Sequence, residues 1–269
     1  MKRIILLGLI ILCFACSTKQ TIKIDKLKVN FKPEINLLVD SNNLIFNFIL
    51  VINSISNEEK QKLDLIKFLK IEVLDDSNQV IDSSSINSLA LLGKPVKGFN
   101  VIYFGKLVIR DFKRKDFEKL SCKCNLVGNN WDMTYTQKLN KILYSETEPA
   151  LALYPIIENI DEKIIDLGVF AVRKRLVEEY IPNSETIRIE VLNSKNKPVY
   201  NSQEGKAFMQ LIMPVEPQNL GDSYIYQYSW DYRNNNGSRV PTGEYTIKMM
   251  IPAKPKPYIT EIQIPVETK

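Results

Sequence analysis

The cysteines are the residues of this sequence whose side chains have the most obvious chemistry. Four are present, Cys13, Cys16, Cys122 and Cys124, and the chain has no histidine. Histidine is the commonest general base and the usual zinc ligand, so its absence excludes Ser-His-Asp catalysis, Cys-His catalysis and an HExxH zinc site within this chain. Carboxylates or lysines remain chemically able to catalyse reactions, but no motif indicates that they do. The sequence therefore predicts a protein that is not an enzyme and binds no cofactor.

Cys16 follows a segment with the features of an export leader. Lys2 and Arg3 precede eleven mostly apolar residues, 4–14, and the small residue Ala15 comes directly before the cysteine. This order of charged, apolar and small residues is typical of a secretory signal. The apolar run is shorter than the roughly 20 residues that a membrane-spanning helix needs. A removed leader is therefore favoured over a permanent membrane span.

The quartet Cys13-Phe14-Ala15-Cys16 resembles a bacterial lipobox, in the loose form common in spirochaetal lipoproteins. The resemblance implies that the thiol of Cys16 is diacylated and that Cys16 becomes the new N-terminus. Stable membrane attachment needs more than one acyl chain, which a triacylated Cys16 would supply. We expect a signal peptide at 1–15, a lipidated cysteine and tether at 16–21, and a mature protein anchored to a membrane of the cell envelope. The alternative is an ordinary secreted protein in which Cys16 is incidental.

Cys122 and Cys124 lie two residues apart on a predicted strand, so their side chains project from the same face of the sheet. An extended backbone holds them farther apart than the usual disulfide Cβ separation of about 3.8 Å, and a bond between them would be strained. We expect two free thiols, at least one of them packed as a small apolar residue. A metal site at this pair lacks a third and a fourth soft ligand.

Several charged clusters have a structural explanation. Residues 75–78, Asp-Asp-Ser-Asn, offer oxygen ligands for calcium but lack the glycine and the distal glutamate of an EF-hand loop, which favours a hairpin turn. The basic clusters at 110–115 and 173–175 are predicted to be solvated loops rather than contacts to lipid headgroups or nucleic acid. Glu178 and Glu179 are adjacent, so on a strand they would point to opposite faces and could not act as a catalytic pair.

The charge balance gives no argument for nucleic-acid binding. Loss of the leader removes Lys2 and Arg3 and lowers the formal net charge from +5 to +3. No single sign of charge dominates such a chain, and we expect no nucleic acid among its partners.

The first half of the chain shows the patterns of β-strands. Apolar and polar residues alternate over 22–31, which predicts a half-buried strand, and the continuous apolar run at 44–52 predicts a central strand. A segment at 58–66 fits a helical turn and a charged hairpin equally well. Turn residues separate further predicted strands, and strands at this spacing are typical of an antiparallel sandwich. These further strands are at 68–74, 103–109, 120–127 and 131–139.

A domain boundary is predicted near Pro149, which gives an N-terminal β-sandwich at 22–148 and a C-terminal immunoglobulin-like domain at 149–269. The region 161–180 fits both helical and strand spacing, and a strand is favoured because its surroundings are β. The predicted fold class is all-β, with two tandem immunoglobulin-like antiparallel β-sandwich domains after a lipoprotein signal peptide. The remaining C-terminal strands are predicted at 187–191, 199–200, 224–230, 245–251 and 259–266.

Aromatic residues and turns define the last third of the chain. Every second residue from Tyr224 to Trp230 is aromatic, which places four rings on one face of a strand, and core packing is favoured there over partner binding. Asn234-Asn235-Asn236-Gly237 is a strong tight-turn sequence, because asparagine and glycine accept positive φ at little cost. A second bend at 240–243 returns the chain to Tyr245, whose ring is expected beside Trp230.

These residues also resemble a known family. Trp230-Asp231, followed by Gly237-Ser238-Arg239-Val240-Pro241-Thr242-Gly243-Glu244-Tyr245, is similar to the W-D…G-x-x-V-P-x-G-x-Y signature of the BsuPI-type intracellular proteinase inhibitors. Further similar pieces are Val199-Tyr200-Asn201-Ser202, Phe208-Met209-Gln210 and Gly221-Asp222-Ser223-Tyr224. The resemblance covers roughly 187–251, about a quarter of the chain, and implies a small immunoglobulin-like β domain.

The sequence supports one main functional hypothesis and two alternatives. The main hypothesis is a lipid-anchored, non-enzymatic interaction or structural module of the cell envelope. An exposed sheet edge or the loops at 234–243 would bind its unidentified protein partner. The first alternative is a protease inhibitor of the envelope that acts through a loop of the C-terminal domain. The second is a metal-binding or enzymatic protein, which metal analysis of the purified chain would test.

Overall fold

The structure is a computed structural model that describes residues 21–24, 27–30, 32–53, 66–94, 100–128 and 132–267. Residues 1–20, with the predicted signal peptide and Cys16, lie outside the described residues, and so does 58–65 of the undecided segment. The described part contains seventeen strands and one short helix, and every strand pairing within its sheets is antiparallel. The predicted all-β class is therefore confirmed. In this part of the chain, no helix has the length and apolar character to cross a membrane.

The strands follow one another along the chain with short connections in most places. Those of the first half are β1 (Thr21–Ile24), β2 (Leu27–Asn30), β3 (Lys32–Asp40), β4 (Asn43–Asn53), β5 (Phe68–Leu74), β6 (Val80–Ile86), β7 (Ala90–Leu92), β8 (Asn100–Ile109), β9 (Ser121–Val127) and β10 (Asp132–Lys138), followed by helix α1 (Leu139–Ile142). Those of the second half are β11 (Leu151–Ile160), β12 (Ile165–Arg173), β13 (Arg188–Asn193), β14 (Pro198–Asn201), β15 (Ser223–Trp230), β16 (Gly243–Ile251) and β17 (Tyr258–Val266).

The alternating segment at 22–31 is not one strand, and this part of the prediction is wrong. It forms the paired strands β1 and β2, in which Thr21 lies opposite Asn30 and Ile24 lies opposite Leu27. The spacing in the sequence explains this, because the step of three residues from Ile24 to Leu27 breaks the two-residue period of a single strand.

The N-terminal sandwich consists of the sheets β10-β9-β5-β6 and β3-β4-β8-β7. Strand β4 lies inside the second sheet, and Phe46, Phe48 and Leu50 point into the core between the two sheets. On its opposite face Asn47 and Ile49 are also fully buried, against the C-terminal half of the protein. Burial of both faces explains why the run at 44–52 is almost continuously apolar rather than alternating.

The C-terminal sandwich consists of the sheets β11-β12-β15 and β14-β13-β16-β17. Trp230 is fully buried in its core, and the ring of Tyr245 packs beside it with centroids 6.3 Å apart. The hydroxyl of Tyr245 donates to the carbonyl of Pro241 at 2.7 Å, which closes the bend between the two. The predicted packing of Tyr245 beside Trp230 is confirmed.

The two sandwiches pack against each other through a third apolar cluster. Ile49, Ile102 and Phe104 of the N-terminal sandwich contact Ile156, Phe170 and Val172 of the C-terminal one. The rings of Phe104 and Phe170 meet edge to face with centroids 5.2 Å apart. The four larger sheets therefore form one stack.

Candidate functional site

The two described cysteines lie where the sequence predicts. Cys122 and Cys124 are both free, both on β9, and both in the N-terminal core. Burial raises the pKa of Cys124 to about 12 and raises the pKa of Cys122 as well. Neither thiol is ionised near neutral pH, so they pack as small apolar residues and offer no reactive site.

Two of the charged clusters are turns or exposed loops, as predicted. The carboxylate of Asp75 accepts hydrogen bonds from the backbone N–H groups of Ser77 and Gln79, both at 2.9 Å, so it closes its own hairpin turn. In the cluster at 110–115 the charged side chains are exposed, and Phe112 is buried. Among the residues that the structure describes, no group of three or more cysteine, aspartate or glutamate side chains is arranged to hold a metal ion.

The cluster at 173–175 contradicts the prediction of a solvated loop. Arg173 and Lys174 are each only 3% exposed. Arg173 is the last residue of β12, and the connection from β14 to β15 covers it, as the carbonyls of Val215 and Pro217 accept its hydrogen bonds. Because the segment that covers Arg173 is more than forty residues away in sequence, local composition cannot predict the burial of this residue.

Arg173 forms a buried clamp with Glu179. The guanidinium donates from Nε to the carbonyl of Pro217 at 2.6 Å, from Nη2 to the carbonyl of Val215 at 2.8 Å, and from Nη1 to the carboxylate of Glu179. The second carboxylate oxygen of Glu179 accepts from the hydroxyl of Tyr258 at 2.6 Å, and burial and this bond raise the pKa of Tyr258.

The prediction for Glu178 and Glu179 rests on a strand that does not exist. Both follow the end of β12 in an irregular segment. Glu178 is exposed, whereas the side chain of Glu179 is only 7% exposed in its ion pair with Arg173. Their carboxylates still do not form a pair, because Glu179 is committed to the clamp.

Lys174 is buried without a hydrogen-bond partner for its ammonium group in the described part of the chain. The nitrogen lies 5.8 Å from the centroid of the Tyr144 ring. Burial lowers the pKa of Lys174 to about 8, although the nearby carboxylates of Glu34 and Glu148 act in the opposite direction. An ammonium group in such surroundings costs free energy of folding, because no partner replaces its lost hydration.

The most distinctive surface feature is the loop at 207–214, within the connection from β14 to β15. Three of its apolar side chains face solvent, with Met209 69%, Leu211 42% and Ile212 75% exposed. The eight residues, Ala-Phe-Met-Gln-Leu-Ile-Met-Pro, include no charged side chain. Single exposed apolar residues are ordinary, but several within one short loop indicate a site of interaction.

The loop is held by backbone hydrogen bonds at two points. Met213 and Ile181 exchange both backbone hydrogen bonds, at 2.8 and 2.9 Å. At the other end Met209 accepts from the N–H of Ser184 and donates to its hydroxyl, both at 3.0 Å. Between these points residues 209–213 of the loop lie opposite residues 181–184, five residues against four. Residues 210–212 lie exposed between the two attachments.

The return leg of the loop is fixed by both sandwiches. The Arg173 clamp binds its carbonyls at 215 and 217, and the buried side chain of Asn47 donates to the carbonyl of Gly221 at 3.0 Å. Lys106 donates to the carbonyl of Leu220 at 3.1 Å and forms an ion pair with Asp222 at 2.6 Å. An exposed loop on a rigid scaffold is the usual architecture of a binding site.

The aromatic strand β15 serves mainly the core, as predicted. Tyr226 and Trp230 are buried and Tyr228 is half-buried, whereas Tyr224 is exposed. The predicted contact loop at 234–243 is polar. The Asn234 side chain accepts from the N–H groups of Asn236 and Ser238, both at 3.0 Å, and the side chain of Asn235 bonds both backbone groups of Asn201, at 2.7 and 2.8 Å. Sequence reasoning cited part of the loop at 207–214 for its family resemblance but did not identify it as a surface.

Comparison with known proteins agrees with the resemblance seen in the sequence. The family model described as BsuPI, intracellular proteinase inhibitor, matches residues 161–256, a range that contains the whole loop at 207–214 and the Arg173 clamp. No curated protein matches the chain. A solved structure, dimeric latent PorU from Porphyromonas gingivalis, aligns at 9% identity and a TM-score of 0.42 over 88% of this chain. The chain spans only 20% of that protein's length. The C-terminal domain is therefore similar to the BsuPI intracellular proteinase inhibitors, which confirms the predicted resemblance.

Proposed function

We propose that this protein is a proteinase inhibitor that presents the loop at 207–214 to the active-site cleft of an endopeptidase. The observation that carries the proposal is an exposed, apolar loop that is held at both ends and lies within the range that matches an inhibitor family. The chain itself is non-enzymatic in this proposal and acts by occupying the cleft.

The geometry of the loop suits this task. An extended peptide binds by main-chain hydrogen bonds, and its side chains supply specificity. No hydrogen bond to the rest of the described chain is found for the backbone of residues 210–212, so their polar groups remain open to a partner. The attachments at Met209 and Met213 and the clamped return leg order the loop before binding, which reduces the conformational entropy that binding would otherwise cost.

The proposal includes a place in the cell. Removal of the leader and acylation of Cys16 would attach the inhibitor to a membrane of the cell envelope, where its partner proteinase would also be found. The support is the order of residues 2–16 and the lipobox-like quartet. Mass spectrometry of the mature N-terminus tests this part, and a Cys16→Ser variant is the control. An unmodified thiol at position 16 would contradict it.

The inhibitory part is tested by titration of the purified chain against endopeptidases of the serine, cysteine, aspartic and metal-dependent classes. We expect at least one proteinase to lose activity in proportion to added protein, reaching completion near one equivalent. If the proteolytic activity of all four classes stays unchanged at micromolar concentrations of the protein, inhibition is refuted. In that case the main hypothesis from the sequence, a non-inhibitory interaction module, would remain.

A further inference from the structure

The composition of the loop restricts the proteinase that it can fit. Its large exposed apolar side chains are those of Met209, Leu211 and Ile212, and the uncharged polar Gln210 lies between them. A proteinase whose primary pocket carries a carboxylate selects a basic side chain, and none is present from 207 to 214. A proteinase with a basic primary pocket selects an acidic side chain, and residues 207–214 include none.

The hydrogen bonds of the loop limit which residue can enter that pocket. Met209 and Met213 already use their backbone groups within the chain, in bonds to Ser184 and Ile181. The residue that anchors a cleft-bound peptide needs a free backbone to pair with the proteinase, which leaves positions 210–212. Of these, Leu211 and Ile212 carry apolar side chains.

The geometry points to an endopeptidase with an apolar primary specificity pocket as the partner, with either Leu211 or Ile212 as the side chain that fills the pocket. This inference rests on the proposed function and names the class of proteinase on which it acts. The remaining exposed apolar side chains of the loop would contact the rim of the cleft.

A specificity switch tests the inference in the full chain. The wild type, Leu211→Lys and Ile212→Lys are titrated against chymotrypsin and subtilisin, which have apolar pockets, and against trypsin, whose pocket carries a carboxylate. Val80→Lys is the matched control, because Val80 is 54% exposed on the N-terminal sandwich, far from the loop in sequence. Thermal denaturation of each variant verifies that it is folded.

We expect the wild type to inhibit chymotrypsin or subtilisin and to spare trypsin. One of the two lysine loop variants should lose about 100-fold in that inhibition and gain inhibition of trypsin, because a pocket side chain decides selectivity on this scale. The Val80→Lys control should behave as the wild type.

Two results would overturn the inference while the proposed function stands: inhibition of trypsin alone by the wild type, or undiminished inhibition of the apolar-pocket enzymes by both loop variants. Inhibition of none of the enzymes in the four-class titration would instead refute the proposed function itself.

Discussion

Replacement of Arg173 by methionine tests whether the buried clamp stabilises the domain and its loop. The substitution keeps an unbranched side chain of similar length but removes three donors, those to Glu179, Pro217 and Val215. The carboxylate of Glu179 would stay buried with only the hydroxyl of Tyr258 as partner. Breaking a buried ion pair from one side costs about 3–5 kcal/mol.

We expect Arg173→Met to lower the free energy of unfolding by about 4 kcal/mol, measured by urea denaturation with tryptophan fluorescence. Part of this loss is the cost of leaving two buried carbonyls without donors, about 1 kcal/mol each. The matched control is Arg233→Met, because Arg233 is exposed and its ion pair with Asp231 lies at the surface. That control should change stability by less than about 0.5 kcal/mol. Equal, small effects of the two substitutions would refute the clamp.

Three further predictions follow from buried groups. Lys174→Met should raise stability at pH 7 by about 1–3 kcal/mol in urea denaturation, because it removes a buried unpaired ammonium. Because the pKa of Lys174 is lowered to about 8, the folded wild type binds fewer protons than the unfolded chain above that pH. The stability of the wild type should therefore rise between pH 8 and 10, and the variant should lack this rise. Gly221→Ala should lower the free energy of unfolding by about 2–4 kcal/mol in the same assay, because its φ of +73° is strained for alanine and its Cβ would lie 2.5 Å from an isoleucine of the N-terminal sandwich. The control Gly205→Ala, at φ +72° with open space around it, should lower it by only about 1 kcal/mol. Equal losses would contradict the packing of the β14–β15 connection against the N-terminal sandwich. Cys122 and Cys124 should resist iodoacetamide in the folded protein and react in urea, whereas rapid labelling without denaturant would contradict their burial.

Local periodicity predicts the strands that alternate and fails on those that do not. Strands β5, β9 and β16 lie close to their predicted bounds because each shows an apolar and a polar face. Strand β6 was not predicted, since three consecutive serines give it no apolar face. Strand β11 contains Pro155, and the proline is tolerated because β11 is an edge strand, where a missing backbone donor costs little.

The candidate site could not be predicted from the sequence for a different reason. The apolar residues of the loop at 207–214 are of the types that normally fill a core, and only the tertiary structure shows that Met209, Leu211 and Ile212 are exposed. Arginine is usually a surface residue, and the burial of Arg173 depends on hydrogen bonds to the carbonyls of Val215 and Pro217, which are distant in sequence. The family signature at 230–245 marks the core and its turns, and so it predicts the domain but not the contact surface.

Inhibition by a double loop variant tests the central claim most directly. The substitutions Leu211→Asp and Ile212→Asp place two charges on the exposed segment and remove no core contact. The control pair is Val80→Asp and Ile81→Asp, two adjacent apolar side chains of β6 that are 54% and 36% exposed. With the proteinase that the wild type inhibits most strongly, the account predicts at least a 100-fold loss of inhibition for the loop variant, an unchanged melting temperature, and full inhibition by the control. A loop variant that inhibits as well as the wild type would contradict the account.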